Sequence, residues 1–148
     1  MASVQQYRAL FWESDGLYNE IMEKSGFSTS EFMSLYCIAN GINTQSDIAK
    51  KLYIPKQTIN SSIKKLASLG YVAMTPVDGN NKTKSLHLTS LGQEVYKQKV
   101  AVMDDIEDEL WQELDEKEAD ALVALTHKYN KLFRIHADKH FSAMHTEA

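Results

Sequence analysis

The chain has 148 residues, of which 43% are hydrophobic and 24% charged, ordinary values for a folded protein that exclude wholesale disorder. No stretch approaches the roughly 18 consecutive apolar residues of a membrane helix, and the first residues lack the basic region and apolar run of a secretory signal. One cysteine, Cys37, excludes an internal disulfide framework and cannot hold a zinc cluster alone. A single cytoplasmic domain over 1–148 is expected, with no cofactor and no membrane contact.

The formal net charge of −4 conceals an asymmetry. Between residues 50 and 84, seven lysines (Lys50, Lys51, Lys56, Lys64, Lys65, Lys82 and Lys84) stand against Asp78 alone. Between 104 and 120, ten acids stand against Lys117 alone. Charge separated in this way predicts one surface that meets a polyanion and a distal region kept away from it. A charge run more commonly just solvates a helix face, so the placement of the lysines decides.

Two prolines and six glycines interrupt the chain, so long helices are expected. The first runs over 4–24, with Tyr7, Leu10, Phe11, Leu17, Tyr18, Ile21 and Met22 in one apolar stripe, and Gly26 ends it. Ser28-Thr29-Ser30-Glu31 has the form of a capping box and opens a second helix, stopped near 39 by Asn40-Gly41. Thr44-Gln45-Ser46-Asp47 offers a hydroxyl cap and an acid three residues later, opening a short helix with Ile48, Ala49 and Leu52 facing inward. Tyr53-Ile54-Pro55 is a tight connection, and from Lys56 the residues Ile59, Ile63 and Leu66 share one face until Leu69-Gly70. Two short helices joined by so short a turn form a helix-turn-helix.

Beyond Gly70 the pattern changes period. Tyr71 to Thr75 is rich in strand formers, with Pro76 expected to end the strand. Residues 77–81 are dense in turn formers, and 83–88 alternates, with Leu86 and Leu88 on one side and Ser85 and His87 on the other. That predicts a hairpin whose tip carries Lys82 and Lys84, a wing behind the helix-turn-helix. Thr89 caps a long fifth helix with Leu91, Val95, Val102, Ile106, Leu110 and Leu114 in its stripe. Asp115-Glu116-Lys117-Glu118 is another capping box, opening a sixth helix with Leu122, Leu125, Tyr129, Leu132, Phe133 and His136 on one face. The first, fifth and sixth helices carry more apolar surface than one small core can bury, which predicts a dimer interface.

Element order and local motifs together resemble the multiple-antibiotic-resistance regulator (MarR) family of winged-helix transcription factors. The resemblance covers essentially the whole chain. It rests on Thr44-Gln45-Ser46-Asp47-Ile48-Ala49, on the helix over 56–70 ending Lys64-Lys65-Leu66-Ala67-Ser68-Leu69-Gly70 with Tyr71-Val72 behind it, and on Leu88-Thr89-Ser90-Leu91-Gly92, which matches the family's L-T-x-x-G element. It implies a mainly α fold with a small β-hairpin: a winged helix-turn-helix lobe over 28–89 and dimerisation helices over 1–25 and 90–148. It also implies a homodimeric, ligand-responsive repressor on a pseudo-palindromic operator. At the wing tip the family commonly carries D-x-R, where this chain has Asn80 and Lys82. Lysine lacks arginine's planar fork, so weaker selectivity for narrow A·T minor grooves is expected.

The lysines fall on the second helix of the helix-turn-helix and on the hairpin tip, the elements that meet double-stranded DNA. Lys56, Lys64, Lys65, Lys82 and Lys84 are therefore read as phosphate or groove contacts, Gln57, Asn60 and Ser61 as edge readers, Thr58 as either, and Thr44 as a further contact. The resemblance also implies a small aromatic or amphipathic effector in a crevice beside the dimerisation helices. Tyr7, Phe11, Phe32 and Tyr36 are candidates to line it, although aromatic residues at helical spacing are first of all core. Cys37 falls within the apolar pattern of the second helix and is read as a buried hydrophobe rather than a redox sensor. His136 and His140 have the i, i+4 spacing of a ligand pair, but two ligands are not a metal site. No nucleophile elbow, phosphate-cradling glycine loop or nucleophile–histidine pairing is present, so an enzyme is not expected. The competing reading is a winged-helix module for protein–protein assembly without sequence-specific DNA binding.

Overall fold

In a computed structural model, residues 1–77 and 80–144 are described, the side chains of 80–82, 143 and 144 excepted. The elements are α1 (Val4–Ser25), α2 (Thr29–Ala39), α3 (Gln45–Leu52), α4 (Lys56–Ser68), β1 (Val72–Val77), β2 (Asn80–Leu88), α5 (Ser90–Lys99), α6 (Val102–Glu113) and α7 (Glu116–Met144). The fold is mainly α with one antiparallel hairpin, as the sequence predicts.

Local chemistry starts most of these helices. Ser28 Oγ accepts the Glu31 N–H while the Glu31 carboxylate accepts the Ser28 N–H, and Asp115 and Glu118 do the same before α7. Ser3 and Gln6 form a third such box before α1. Gly26, at φ 82°, ends α1 in the left-handed region where a Cβ is strained.

The core lies between α2, α3, α4 and the base of the hairpin. Phe32, Leu35, Ile48, Ile59, Ile63 and Leu66 are completely buried, and Val72 and Leu86 close the side under the wing. Each such side chain contributes about 1.5–3 kcal/mol on burial. The hairpin is anchored twice. Leu86 N–H donates to the Asn43 carbonyl at 2.8 Å, tying β2 to the loop before α3. Thr89 caps α5 by accepting the Gly92 N–H at 3.0 Å, and its hydroxyl donates to the Gly70 carbonyl at 2.6 Å. A Cβ on Gly92 would stand 1.9 Å from the Tyr71 carbonyl oxygen, so the Thr-x-x-Gly element closes only around glycine.

Three expectations are corrected. Pro76 does not end β1, which runs to Val77 with Pro76 opposite Lys84. Both strands of a two-stranded ribbon are edges, where a missing N–H is tolerated. The fifth helix is not continuous. The Tyr96 carbonyl accepts both Val100 N–H (2.8 Å) and Ala101 N–H (2.9 Å), and the next bonds close short turns, Met103 to Val100 and Asp104 to Ala101. A wide turn followed by tight ones interrupts the α-helix without any glycine or proline. Tyr96 donates its hydroxyl to Asp104 across the break at 3.2 Å. Third, Tyr7, Phe11 and Tyr18 are not core: all three are exposed on α1. The turn expected over 77–81 includes positions 78 and 79, and these, like His145, lie outside the described residues.

Two compact units are distinguished, Met1–Asp104 and Asp105–Ala148. In the first, α1 buries only Met22 and Ser25 and leaves Leu10, Phe11, Trp12 and Leu17 exposed. In the second, α7 exposes Leu122, Val123, Leu125, Phe133, Ile135 and Phe141. No helix among the described residues is long and apolar enough to cross a membrane.

Candidate nucleic-acid interface

The sequence of α4 divides its faces cleanly. Ile59, Ile63 and Leu66 are locked into the core, which turns Gln57, Thr58, Ser61 and Lys64 outward, all exposed, with Asn60 half-buried beside them. A cleft of about 260 Å³ opens between this helix, the start of α3 and the hairpin. Thr44, Lys56, Asn60, Lys64 and Lys84 line it, so five of the ten residues predicted to meet DNA converge on one concavity. Gln57, Thr58 and Ser61 sit on the exposed surface of the same helix, outside the cleft lining. Lys82 lies on β2, and its side chain is outside the described residues.

The N-terminus of α4 differs from its neighbours. α1, α2, α3 and α5 each begin with a side-chain cap from Ser3, Ser28, Thr44 and Thr89, whereas Pro55 supplies none to α4. Proline presets the first turn but leaves the leading N–H groups without a side-chain acceptor. No acid sits in the first turn of α4, and Lys56 begins it. The positive end of the helix dipole, open N–H groups and lysines thus coincide, the arrangement that attracts phosphate.

Individual predicted contacts are used in different ways. Thr44 Oγ1 accepts the Asp47 N–H at 3.1 Å and donates to the Asp47 carboxylate at 2.7 Å, so its hydroxyl proton serves the α3 cap. The Ser61 hydroxyl donates back to the Gln57 carbonyl at 3.1 Å, leaving its lone pairs outward. Lys65 Nζ lies 2.7 Å from Glu31 Oε1, whereas Lys56, Lys64 and Lys84 make no ion pair among the described residues. Sequence reasoning missed Gln45, Ser46, Met74 and Thr83, which also line the cleft. Gln45 and Ser46 follow the Thr44 cap directly, and the orphan N–H groups of a capped first turn were the available signal.

The four aromatic residues expected to line an effector crevice differ in exposure. Phe32 is wholly buried and has no surface left for a ligand, Tyr36 is half-buried against the core, and Tyr7 and Phe11 are exposed on α1. Two further clefts flank the lobe, one of about 490 Å³ between α2, β2 and α5 and one of about 540 Å³ beside Tyr53, and neither is lined by any of the four. Cys37 is buried, and burial pushes its thiol above the usual cysteine value against the opposing charge of Lys51. No group of three metal-ligating side chains occurs among the described residues, and His136 and His140 are both exposed on α7.

A helix-turn-helix with an appended hairpin wing and a basic cleft between them defines the winged-helix class. The MarR family model matches residues 25–80, from the end of α1 to the start of β2. The chain is similar in fold to solved members. A MarR family regulator from Neisseria meningitidis superposes with a TM-score of 0.81 at 18% identity, covering 94% of this chain and 99% of that one. The S. aureus MepR–DNA complex gives 0.67 at 22% identity, covering 89% and 99%. Bordetella bronchiseptica BpsR, whose DNA binding is regulated by 6-hydroxynicotinic acid, gives 0.65 at 18% identity, covering 84% and 98%. No curated protein sequence matches the chain.

Proposed function

We propose that the protein is a cytoplasmic, homodimeric transcription regulator, a ligand-responsive repressor that binds a pseudo-palindromic DNA site and has no catalytic activity. The observation that carries this reading is the uncapped, lysine-led N-terminus of α4 opening into the cleft it shares with the wing. Lys56, Lys64 and Lys84, with Lys82 on the hairpin, neutralise phosphates and set position; Gln57 and Asn60 read base edges, with Thr58 and Ser61 beside them. Their amides donate and accept together, matching the N6 and N7 edge of adenine. The dimer is supported by the bare apolar stripes of α1 and α7, and a two-fold dimer would present its recognition helices to half-sites about one DNA turn apart or a little more. Structures similar in fold include one complexed with DNA and one regulated by a small aromatic acid. An effector here is expected against Tyr7, Phe11 and Tyr36, which keep exposed surface, rather than Phe32.

The test is selection of genomic fragments by the purified protein, followed by fluorescence anisotropy on the recovered site and on random duplex of equal length. Asn60→Ala is expected to cost about 1–3 kcal/mol on the selected site and much less on random duplex. Equal losses on both would remove Asn60 from the base-reading set. Absence of binding to any duplex at low salt would favour a protein-assembly module instead.

A further inference from the structure

The recognition helix carries adjacent lysines, Lys64 and Lys65, that look alike in the sequence and are separated by the structure. Lys64 faces the cleft and makes no ion pair among the described residues. Lys65 points the other way, with Nζ 2.7 Å from Glu31 Oε1. The Glu31 side chain is only 8% exposed, and its second oxygen accepts the Ser28 N–H at 3.2 Å. The carboxylate is thus held by its own helix cap on one side and by the recognition helix on the other. A nearly buried carboxylate that loses its cation keeps only the Ser28 N–H as a partner, which is unfavourable. Lys65, its side chain 59% exposed, thus has in Glu31 a partner with which phosphates must compete.

A second polar link lies one turn away. Ser62, buried, has its hydroxyl 2.8 Å from Ser30 Oγ, and Ser34 donates to the Ser30 carbonyl at 2.6 Å. Ser62 and Lys65, three apart on α4, so meet Ser30 and Glu31, adjacent on α2. Phe32 and Leu35 of α2 and Ile59, Ile63 and Leu66 of α4, all buried in the same core, are apolar, and apolar contact tolerates rotation better than directional bonds do. Rotation matters at the DNA face. At a side-chain radius of about 5–6 Å, turning α4 by about 10° moves a base-reading atom about 1 Å, beyond the narrow distance range of a hydrogen bond. The same turn of α2 is tied to α1, where Thr29 Oγ1 donates to Asn19 Oδ1 at 3.2 Å.

We propose that Lys65 is a positioning residue and not a DNA ligand: held by Glu31, it fixes the rotation of α4 on α2 and thereby the direction in which Gln57 and Asn60 face the bases. The proposal rests on the DNA-binding reading above. It is tested with the full-length protein, its selected genomic site and random duplex, across a salt series. Lys65→Met is expected to weaken binding to the selected site about tenfold, with random-duplex affinity and the log–log salt slope unchanged. Lys64→Met is expected to weaken both and to flatten the slope by about one unit per chain. In a Glu31→Gln background, Lys65→Met should add less than about a twofold further loss.

Glu31→Gln alone keeps the cap's shape and provides the decisive variant should Lys65→Met fail to fold. It is expected to lose discrimination between the selected site and random duplex, whereas a phosphate-binding Lys65, freed of its partner, would keep that discrimination and steepen the slope. A flattened slope in Lys65→Met, or a full additional loss in the Glu31→Gln background, would overturn the assignment. Failure of the unaltered protein to bind any duplex would instead overturn the reading beneath it, and the proposal with it.

Discussion

Helices α4 and α7 carry apolar stripes of the same kind, and the stripes have opposite fates. Ile59, Ile63 and Leu66 of α4 are completely buried, while Leu125 and Phe133 of α7 are 66% and 64% exposed. In α4 the stripe meets α2, α3 and the base of the hairpin within one unit. In α7 no described side chain is buried. Hydrophobic periodicity therefore names the face of a helix but not what covers it. Where a chain leaves an apolar face bare, the covering surface is sought outside it.

The largest expected effect follows from that contrast. If a second copy covers α1 and α7, Leu125→Glu combined with Phe133→Glu should dissociate the dimer, and light scattering at micromolar concentration should report one chain instead of two. Both positions are exposed on the single chain, so each lobe should keep its secondary structure. An unaltered protein that scatters as one chain would break the comparison outright, because α7 would then stay bare.

Next in size is a test of the covered region. Gly92→Ala puts a Cβ 1.9 Å from the Tyr71 oxygen, a backbone atom that cannot swing aside. The connection between hairpin and α5 must then open, and a loss of about 3 kcal/mol or more in urea unfolding is expected. At Gly16, in the exposed part of α1, an added Cβ would meet nothing within 4 Å, so Gly16→Ala should be neutral or stabilising by about 1 kcal/mol through helix propensity. Similar losses at both glycines would show that the α1 surface is as closely packed as the lobe.

The same division explains what could be read in advance. Caps at Ser28, Thr44, Thr89 and Asp115 were legible because each involves residues three apart. The inward faces of α3 and α4 were legible because local spacing dictates them. The break after α5 was not, because it depends on how one carbonyl of Tyr96 is shared and no glycine or proline marks it. The partner of Lys65 lies 34 residues away in sequence, and Met74 and Thr83 reach the cleft only through hairpin register. Exposure of Tyr7 and Phe11 was equally hidden, since an apolar residue at helical spacing reads the same whether its own chain or another covers it.

The smallest expected effect concerns pH and separates the buried lobe from the exposed helices once more. Burial raises the Cys37 thiol above its usual value, with Lys51 opposing. Burial, the charge of Asp104 and the bond to it raise the Tyr96 hydroxyl, with Asn40 opposing. Both groups hold a proton in the folded state at a pH where the unfolded chain has released it. The folded state then binds more protons, so the stability slope with pH is negative. Stability should be level through neutrality and decline above roughly pH 9, where free thiols and then phenols ionise. For Cys37 the slope is bounded by about 1.4 kcal/mol per pH unit, and the more exposed Tyr96 adds less because solvent screens it. Urea unfolding of the unaltered protein and of Cys37→Ala at pH 7 and pH 10 measures this, with a shallower decline expected in the variant. The same burial predicts that Cys37 resists thiol-reactive probes until the lobe unfolds. Rapid labelling at neutral pH in the folded protein would show that the α2 face around Cys37 opens, and would move that part of the lobe to the exposed side of the comparison.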